Sequence, residues 1–399
     1  MSTCDTLIIG AGIAGASLAW RLARAGQRVR LLERESQPAY HSTGRSAAMF
    51  MESYGPPGVR ALTRAGRAFY LRPPAGFTDT ALLHPRQALF VATAGQHASL
   101  QALADALRVA GTPFTLLDAQ ALLRAAPALR PGLFAQALLD ANGYDMDVNA
   151  ILQGFLRGAR SAGAVLSLSV TPQRAERAGD GWRVQLSDGG EARARTVVDA
   201  AGAWADEVGA LFGARPIGLE PRRRSAFTFH APAGVDASNW PMVADVDETW
   251  YFKPDAGQLL GSPANADAVA PHDVQPEELD IALGIHRIEE ATTLRIARPT
   301  ATWAGLRTFA PDGEIVIGID AACPGLFWLA GQGGYGIQSA AGASALAASL
   351  IEGGALPDEL TRHGVAPATV APARLRAVKC RPASAGRSSP AAAAGDPAR

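Results

Sequence analysis

Lysine is almost missing: Lys253 and Lys379 are the only two, so arginine carries nearly all the positive charge. The 37 basic residues are matched by 37 acidic ones, and charged residues are only 19% of the chain. Without net charge there is no basic field to hold a nucleic acid, so that class of partner is set aside. Cysteine is scarce too. Cys4, Cys323 and Cys380 are odd in number and far apart, which gives neither a metal-ligand spacing nor a disulfide framework. No metal is expected, and the pattern suits a reducing cytoplasm. No apolar run reaches the ~18 residues of a membrane span. The nearest, Ile337–Leu356, is broken by Ser339, Ser344, Ser349, Glu352 and three glycines and reads as a buried helix. No transmembrane segment is therefore expected, and peripheral membrane association stays open. The chain opens on a strand-like segment rather than a basic region with a cleavage site, so no secretory leader is expected.

Core material is plentiful: 48% of the 399 residues are hydrophobic, enough for two or three domains. Thr6–Ile9 is a short apolar run of the kind found in buried parallel strands. Ile13–Ala25 carries apolar residues at helical spacing, and Arg28–Glu33 reads as a second strand. Strand, turn, helix and strand form a βαβ unit, which makes the sheet at least partly parallel. Further helices are expected over Val59–Leu71, Asp147–Ala162 (capped by Asp147), Glu277–Ile296 and Ser339–Ile351, with Leu100–Leu123 helix-rich. Strands are expected over Leu82–Thr93, Ala164–Val170, Trp182–Leu186, Arg195–Asp199, Ile315–Ile319 and Leu326–Leu329. Arg223–His230, Thr249–Phe252 and Gln258–Gly261 alternate like antiparallel strands.

The strongest chemical signal is Gly10-Ala11-Gly12-Ile13-Ala14-Gly15. Its placement between a strand and a helix, with Glu33 closing the next strand, is the context of a dinucleotide site. Gly10 permits the tight turn, Gly12 lets a pyrophosphate approach the backbone, and Gly15 allows close helix–strand packing. The phosphate charge meets the helix N-terminus. Glu33 can accept both ribose hydroxyls and disfavours a 2′-phosphate. The motif alone does not separate NAD from FAD. Two loops bear on that choice. Ser42-Thr43-Gly44-Arg45-Ser46-Ala47-Ala48 follows the second strand with small and hydroxyl residues. Gly331-Gln332-Gly333-Gly334-Tyr335-Gly336-Ile337-Gln338 precedes the last long helix, where glycines admit a flat ring and the helix N-terminus favours negative charge on it.

These segments resemble the FAD-dependent D-amino-acid oxidase superfamily, and within it the bacterial D-arginine dehydrogenases. The matching stretches are Leu7–Ala16, Leu32–Glu35, Tyr40–Ala48, Ala200–Trp204, Arg223–Phe227, Tyr251–Asp255, Gly261–Asp267, Trp303–Arg307 and Gln332–Gln338. The resemblance implies an α/β fold in which a Rossmann-like FAD-binding domain is intertwined with an antiparallel-sheet substrate domain. Segments 1–86, 145–218 and 303–365 would form the first, 87–144 and 219–302 the second; beyond the resemblance, 366–399 is expected to be a disordered tail on its lost periodicity, with Ala383–Arg399 rich in Pro, Ala, Ser, Gly and Arg. The resemblance implies that Gly10, Gly12, Ala14, Gly15, Glu33 and Arg34 meet the adenosine and pyrophosphate, that Thr43 to Ala48 follow the ribityl chain and flavin, and that Ser42 is among the cofactor-binding residues. Val170 and Gly202 serve the nucleotide side. Gly333, Tyr335, Gly336, Ile337 and Gln338 border the flavin.

Tyr54, Arg224, Tyr251 and Arg307, with Gly334 beside them, match residues that hold a substrate carboxylate. The chemistry agrees: a guanidinium binds a carboxylate bidentately, tyrosine hydroxyls add donors, and the fixed pose sets Cα–H over flavin N5. Strand alternation puts Arg222 and Arg224 on one face and Arg223 on the other.

Two positions depart from the pattern. Met49 stands where the family has histidine. Ala88 stands where the D-arginine enzymes carry a glutamate for the substrate guanidinium. A buried guanidinium without that carboxylate loses about 3 kcal/mol or more, so a neutral or apolar D-amino acid is the expected substrate, and comparing an Ala88→Glu variant with wild type tests this. Some relatives bond FAD to a cysteine in the segment matching Arg307–Ile319. None lies there, so FAD is expected to be noncovalent. The expected reaction is oxidative deamination to the imino acid, then a 2-oxo acid and ammonia, with an unidentified electron acceptor. Oxidation of an N-methyl or secondary amino acid, a flavin-binding protein with a degenerate pocket, and a nicotinamide-dependent dehydrogenase remain the alternatives.

Overall fold

The computed structural model describes residues 2–377. Strand β1 (Ser2–Ile9), helix α1 (Ile13–Arg24) and strand β2 (Val29–Leu32) form the βαβ unit, the two strands paired in parallel. Leu7 and Ile8 are fully buried, as a central strand covered on both faces requires. The parallel layer extends through β2 to Val165–Ser167 and through β1 to Glu191–Asp199. Glu191–Asp199 is shared: its first half pairs antiparallel with Gly181–Leu186, and its end runs parallel to Leu326–Ala330.

Helices close one face of this layer. Gly336–Glu352, rich in alanine, is buried against α1 and Pro57–Leu71, as the interrupted apolar run predicted. Trp20, Phe69, Phe77 and Phe155 pack edge-to-face or stacked where α1, Pro57–Leu71 and Val148–Ser161 meet, contacts of about 0.5–1.5 kcal/mol each beyond area burial. Asp147 caps Val148–Ser161 by accepting the Ala150 N–H at 2.8 Å. Pro57–Leu71 is capped from far along the chain: the Glu314 carboxylate accepts the N–H groups of Gly58 and Val59 at 2.7 and 3.2 Å.

A second, nine-stranded sheet carries Glu220–Phe229 and Tyr251–Asp255. It is antiparallel except where Ala88–Ala92 runs parallel to Met242–Asp245. A small sheet of Met49–Phe50, Leu83–Pro85 and Tyr144–Met146 joins the two layers. There Asp145 accepts from Arg86 Nε at 2.8 Å and from the buried Lys253 Nζ at 2.5 Å, which ties the small sheet to Tyr251–Asp255.

The structure changes four expectations. Ala301–Phe309 pairs along its whole length with Glu220–Phe229, so residues 303–309 belong to the second sheet, not to the dinucleotide-binding segments. Gly305 and Arg307 had hidden its alternation. Leu100–Leu123 is split by a strand, Thr115–Asp118, between helices His97–Val109 and Ala119–Ala125. Pro172–Ala178 is an additional edge strand paired with Gly181–Leu186, and its polar sequence carried no strand pattern. The tail expected from residue 366 instead begins with two short helices, Pro367–Val370 and Ala373–Ala377. Arg374 anchors them through Asp312, at 2.7 Å, and the Glu314 carbonyl. The disorder expected over Ala383–Arg399 lies outside the described residues, as do Lys379 and Cys380.

Candidate active site between the two sheets

A cavity of about 480 Å³ runs from the C-terminal ends of β1 and β2 to the second sheet, where α/β folds place their ligands. At its nucleotide end Gly10 has φ +103°, and a Cβ there would stand 2.4 Å from the Ala200 carbonyl oxygen. A Cβ on Gly15 would stand 1.9 Å from the Gly10 oxygen, so this turn admits glycine alone. Gly15 therefore packs behind the turn and does not line the cavity. Gly12 is the N-cap of α1 and offers no side chain; Thr43 Oγ1 accepts the Ile13 N–H at 3.1 Å instead. The remaining first-turn N–H groups have no helical acceptor and stand at the cavity wall with Gly12, Ile13 and Ala14. Glu33 is buried; its oxygens accept from the N–H groups of Ala11 at 2.9 Å and Glu35 at 3.0 Å. Arg34 lies over the Trp204 ring at 4.6 Å. Val170 and Gly202 complete this end.

The loop after β2 is pinned to the second sheet. Ser42 Oγ donates to the Leu306 carbonyl at 2.6 Å. Arg45 lines the cavity, yet its guanidinium is committed to Asp273 and to the carbonyls of Val274 and Ala304. Gly44 lies outside the wall, close against the Ala39 carbonyl. Ser46, Ala47 and Ala48 line it, Ala48 in the left-handed region at φ 58°. That conformation costs an alanine about 1–2 kcal/mol, and it is held by Ser46 Oγ, which accepts the Ala48 N–H, and by the Met146 N–H on the Ala48 carbonyl. Opposite, Gly333, Gly334, Gly336, Ile337 and Gln338 form the wall. The Gln338 amide is spent on the Met51–Tyr54 turn: Oε1 accepts the Met51 N–H, and Nε2 donates to the Tyr54 carbonyl. Tyr335 stands behind this wall, its hydroxyl donating to the Gly313 carbonyl at 2.6 Å and its ring against Tyr54.

At the other end Tyr54, Arg224, Tyr251 and Arg307 converge. Arg307 Nη1 donates to the Tyr54 hydroxyl at 3.3 Å. Arg224 spends Nε on the Asn265 carbonyl at 2.5 Å, which leaves its terminal nitrogens for a ligand. Alternation holds: Arg223, on the opposite face, pairs with Asp280 at 3.0 Å and with Glu277. Burial, reinforced by Arg307, lowers Arg224 to about 10, so both guanidiniums remain charged at neutral pH. Burial pushes the Tyr54 phenol up, with Arg307 opposing it, so Tyr54 remains a donor. Two half-buried cations side by side, with no carboxylate among the described residues bonded to either, define an anion site.

The structure corrects the placement of Ala88. It is buried but does not line the cavity; Phe90, two residues on along the same strand face, does. Glutamate at position 88 would place a second carboxylate opposite the buried Asp140. Sequence reasoning also missed Met51, Met242 and Ala244 in the wall around Met49. Strand register, visible only after pairing, selects them.

A βαβ nucleotide cradle continuous with an anion clamp defines a flavin-dependent oxidoreductase, and the residues at the cradle fit FAD. The family model described as FAD dependent oxidoreductase (DAO) matches residues 5–350, and the chain belongs to that family. It is 24% identical over 379 residues to the mitochondrial dimethylglycine dehydrogenase of Mus musculus, covering 89% of this chain but 43% of that protein. The chain thus spans less than half the length of that relative. It is 23% identical to the D-amino acid dehydrogenase of Sinorhizobium medicae (strain WSM419), over 90% of this chain and 99% of the other. Among solved structures, L-proline dehydrogenase from P. horikoshii shares the fold with a TM-score of 0.81 at 19% identity, covering 94% and 98% of the two chains.

Proposed function

We propose that this oxidoreductase removes a hydride from Cα of a neutral or apolar D-amino acid, giving the imino acid and, on hydrolysis, a 2-oxo acid and ammonia. The observation that carries the reading is the Arg224–Arg307 pair, with Tyr54 and Tyr251, at one end of the FAD cavity. A carboxylate there neutralises the two facing guanidiniums. FAD, when bound, supplies the hydride acceptor. The chain's own residues fix the carboxylate, so that one face of Cα is presented, and exclude water around it with Met49, Met51, Phe90 and Met242. Those side chains favour an apolar substrate group. Glu248, the acidic residue at this end, is exposed, so its pull on a distal cation is screened.

The D configuration is supported by the resemblance and by similarity to a D-amino acid dehydrogenase. Neither Cys4 nor Cys323 lines the cavity, which supports noncovalent FAD. No helix of the described residues is long and apolar enough to cross a membrane, and the reading places the reaction in the cytoplasm with a separate electron acceptor. A second reading, oxidation of an N-methyl or secondary amino acid, draws on similarity to proteins named for dimethylglycine and L-proline, because the carboxylate clamp serves either. Product analysis with an artificial acceptor tests both. Ammonia and 4-methyl-2-oxopentanoate from D-leucine support the first; formaldehyde from sarcosine, with D-leucine inert, replaces it with the second.

A further inference from the structure

A second cavity, of about 310 Å³, adjoins the first and shares Tyr54, Phe90, Arg224, Glu248 and Arg307 with it as walls. It adds Arg60, from the first turn of Pro57–Leu71, and Tyr335. Four other partly buried guanidiniums in this fold are answered by carboxylates, Arg45 by Asp273, Arg86 by Asp145, Arg223 by Asp280 and Arg374 by Asp312, and Arg21, Arg64 and Arg287 bond to hydroxyls or carbonyls. Arg60 has neither kind of partner: among the described residues its side chain makes no ion pair or hydrogen bond, and its Nε is buried. Burial, together with the nearby Arg64, holds it below the usual arginine range, with the Glu314 carboxylate opposing without bonding to it. A desolvated cation bonded to no partner costs free energy that a ligand anion can return. Three guanidiniums face this cavity against one carboxylate, the exposed Glu248.

We infer that the outer cavity is a second carboxylate subsite, in which Arg60 and Arg307 hold the carboxylate of an arriving amino acid before it passes to the Arg224–Arg307 clamp. Arg307 and Arg224, as walls of both cavities, provide continuity between the two positions. Such a subsite raises the local concentration of anions at the clamp and acts on capture rather than on the hydride step. The identity of the ligand rests on the amino-acid reading above; the anion site does not.

The test uses FAD-loaded wild type, Arg60→Gln and Arg60→Lys. With D-leucine, R60Q lowers kcat/KM about tenfold and flattens its dependence on salt, while the limiting rate of flavin reduction at saturation stays at the wild-type value. R60K, which keeps the charge, recovers most of the loss. Calorimetry with 4-methylpentanoate, a carboxylate with no amine to oxidise, gives two bound per wild-type chain and one per R60Q chain, only one of the two perturbing the flavin spectrum. Two bound to wild type with no amino acid reducing the flavin upholds the subsite and rejects the substrate class. One bound to each protein, with equal kcat/KM for D-leucine, rejects the subsite and leaves the substrate class standing.

Discussion

Gly334→Ala isolates the carboxylate clamp from the fold. A Cβ built on Gly334 lies 2.8 Å from Arg307 Nη1, 3.0 Å from Cζ and 3.1 Å from the Tyr54 hydroxyl. Ordinary contact begins at 3.4 Å, so the guanidinium must retreat by about 0.6 Å to reach it. The obstructed group is the far end of a flexible side chain, so the fold yields there at little cost. The position of the two N–H donors that receive the carboxylate is what changes. A displacement approaching 1 Å in a positioning group costs up to about 10²-fold; a loss of about 10- to 100-fold in kcat/KM, about 1.4–2.8 kcal/mol of transition-state stabilisation, is expected. Most of it should fall on KM, because the carboxylate is held in both ground and transition states. Steady-state kinetics with D-leucine, beside FAD content and Tm, reads the effect. Unchanged FAD content and Tm with the stated loss fits the reasoning. A kcat/KM within about twofold of wild type would mean that Arg307 does not set the substrate's position.

Three further outcomes follow from named contacts. Arg224→Met should cost kcat/KM at least about 100-fold, since a buried carboxylate loses a charged partner, while Tm holds or rises because Arg307 no longer faces a like charge; a clear fall in Tm would show Arg224 to be structural. Glu33→Gln should weaken FAD about tenfold or more, as one charge-assisted acceptor is lost from the Ala11 and Glu35 N–H groups and from a ribose hydroxyl, measured by reconstituting apoprotein; unchanged affinity contradicts the ribose role. Asp199 is fully buried, its Oδ2 has no partner, and burial holds its pKa well above the usual 3.8. The folded state thus binds this proton more tightly than the unfolded chain. The stability it contributes is complete below 3.8 and is lost as pH rises toward the folded value. Asp199→Asn should remove that decline from a plot of Tm against pH, and an unchanged slope would refute the assignment.

The βαβ unit was legible because its determinants are local: the apolar run, the glycine spacing and the closing acid lie within one short segment. Arg224 was legible through the family resemblance, and strand parity separates it from Arg223 but not from Arg222. What escaped depended on distant partners. Met242 and Ala244 reach the cavity wall because their strand pairs with Ala88–Ala92. Ala301–Phe309 is a strand because nine residues of Glu220–Phe229 lie beside it. Glu314 caps a helix that begins more than 250 residues earlier, and that helix brings Arg60 to the outer cavity that Arg307 also lines. No window of sequence contains such pairs.

In the proposed function the clamp presents the Cα–H of a neutral D-amino acid to FAD. Anaerobic mixing of the holoprotein with D-leucine, D-methionine, D-arginine, the L-enantiomers and sarcosine, followed by absorbance at about 450 nm, tests it most directly. Bleaching by D-leucine and D-methionine, with D-arginine weak and the L-enantiomers inert, is the predicted result; a flavin that sarcosine or an L-amino acid bleaches first, or that none of them bleaches, contradicts it.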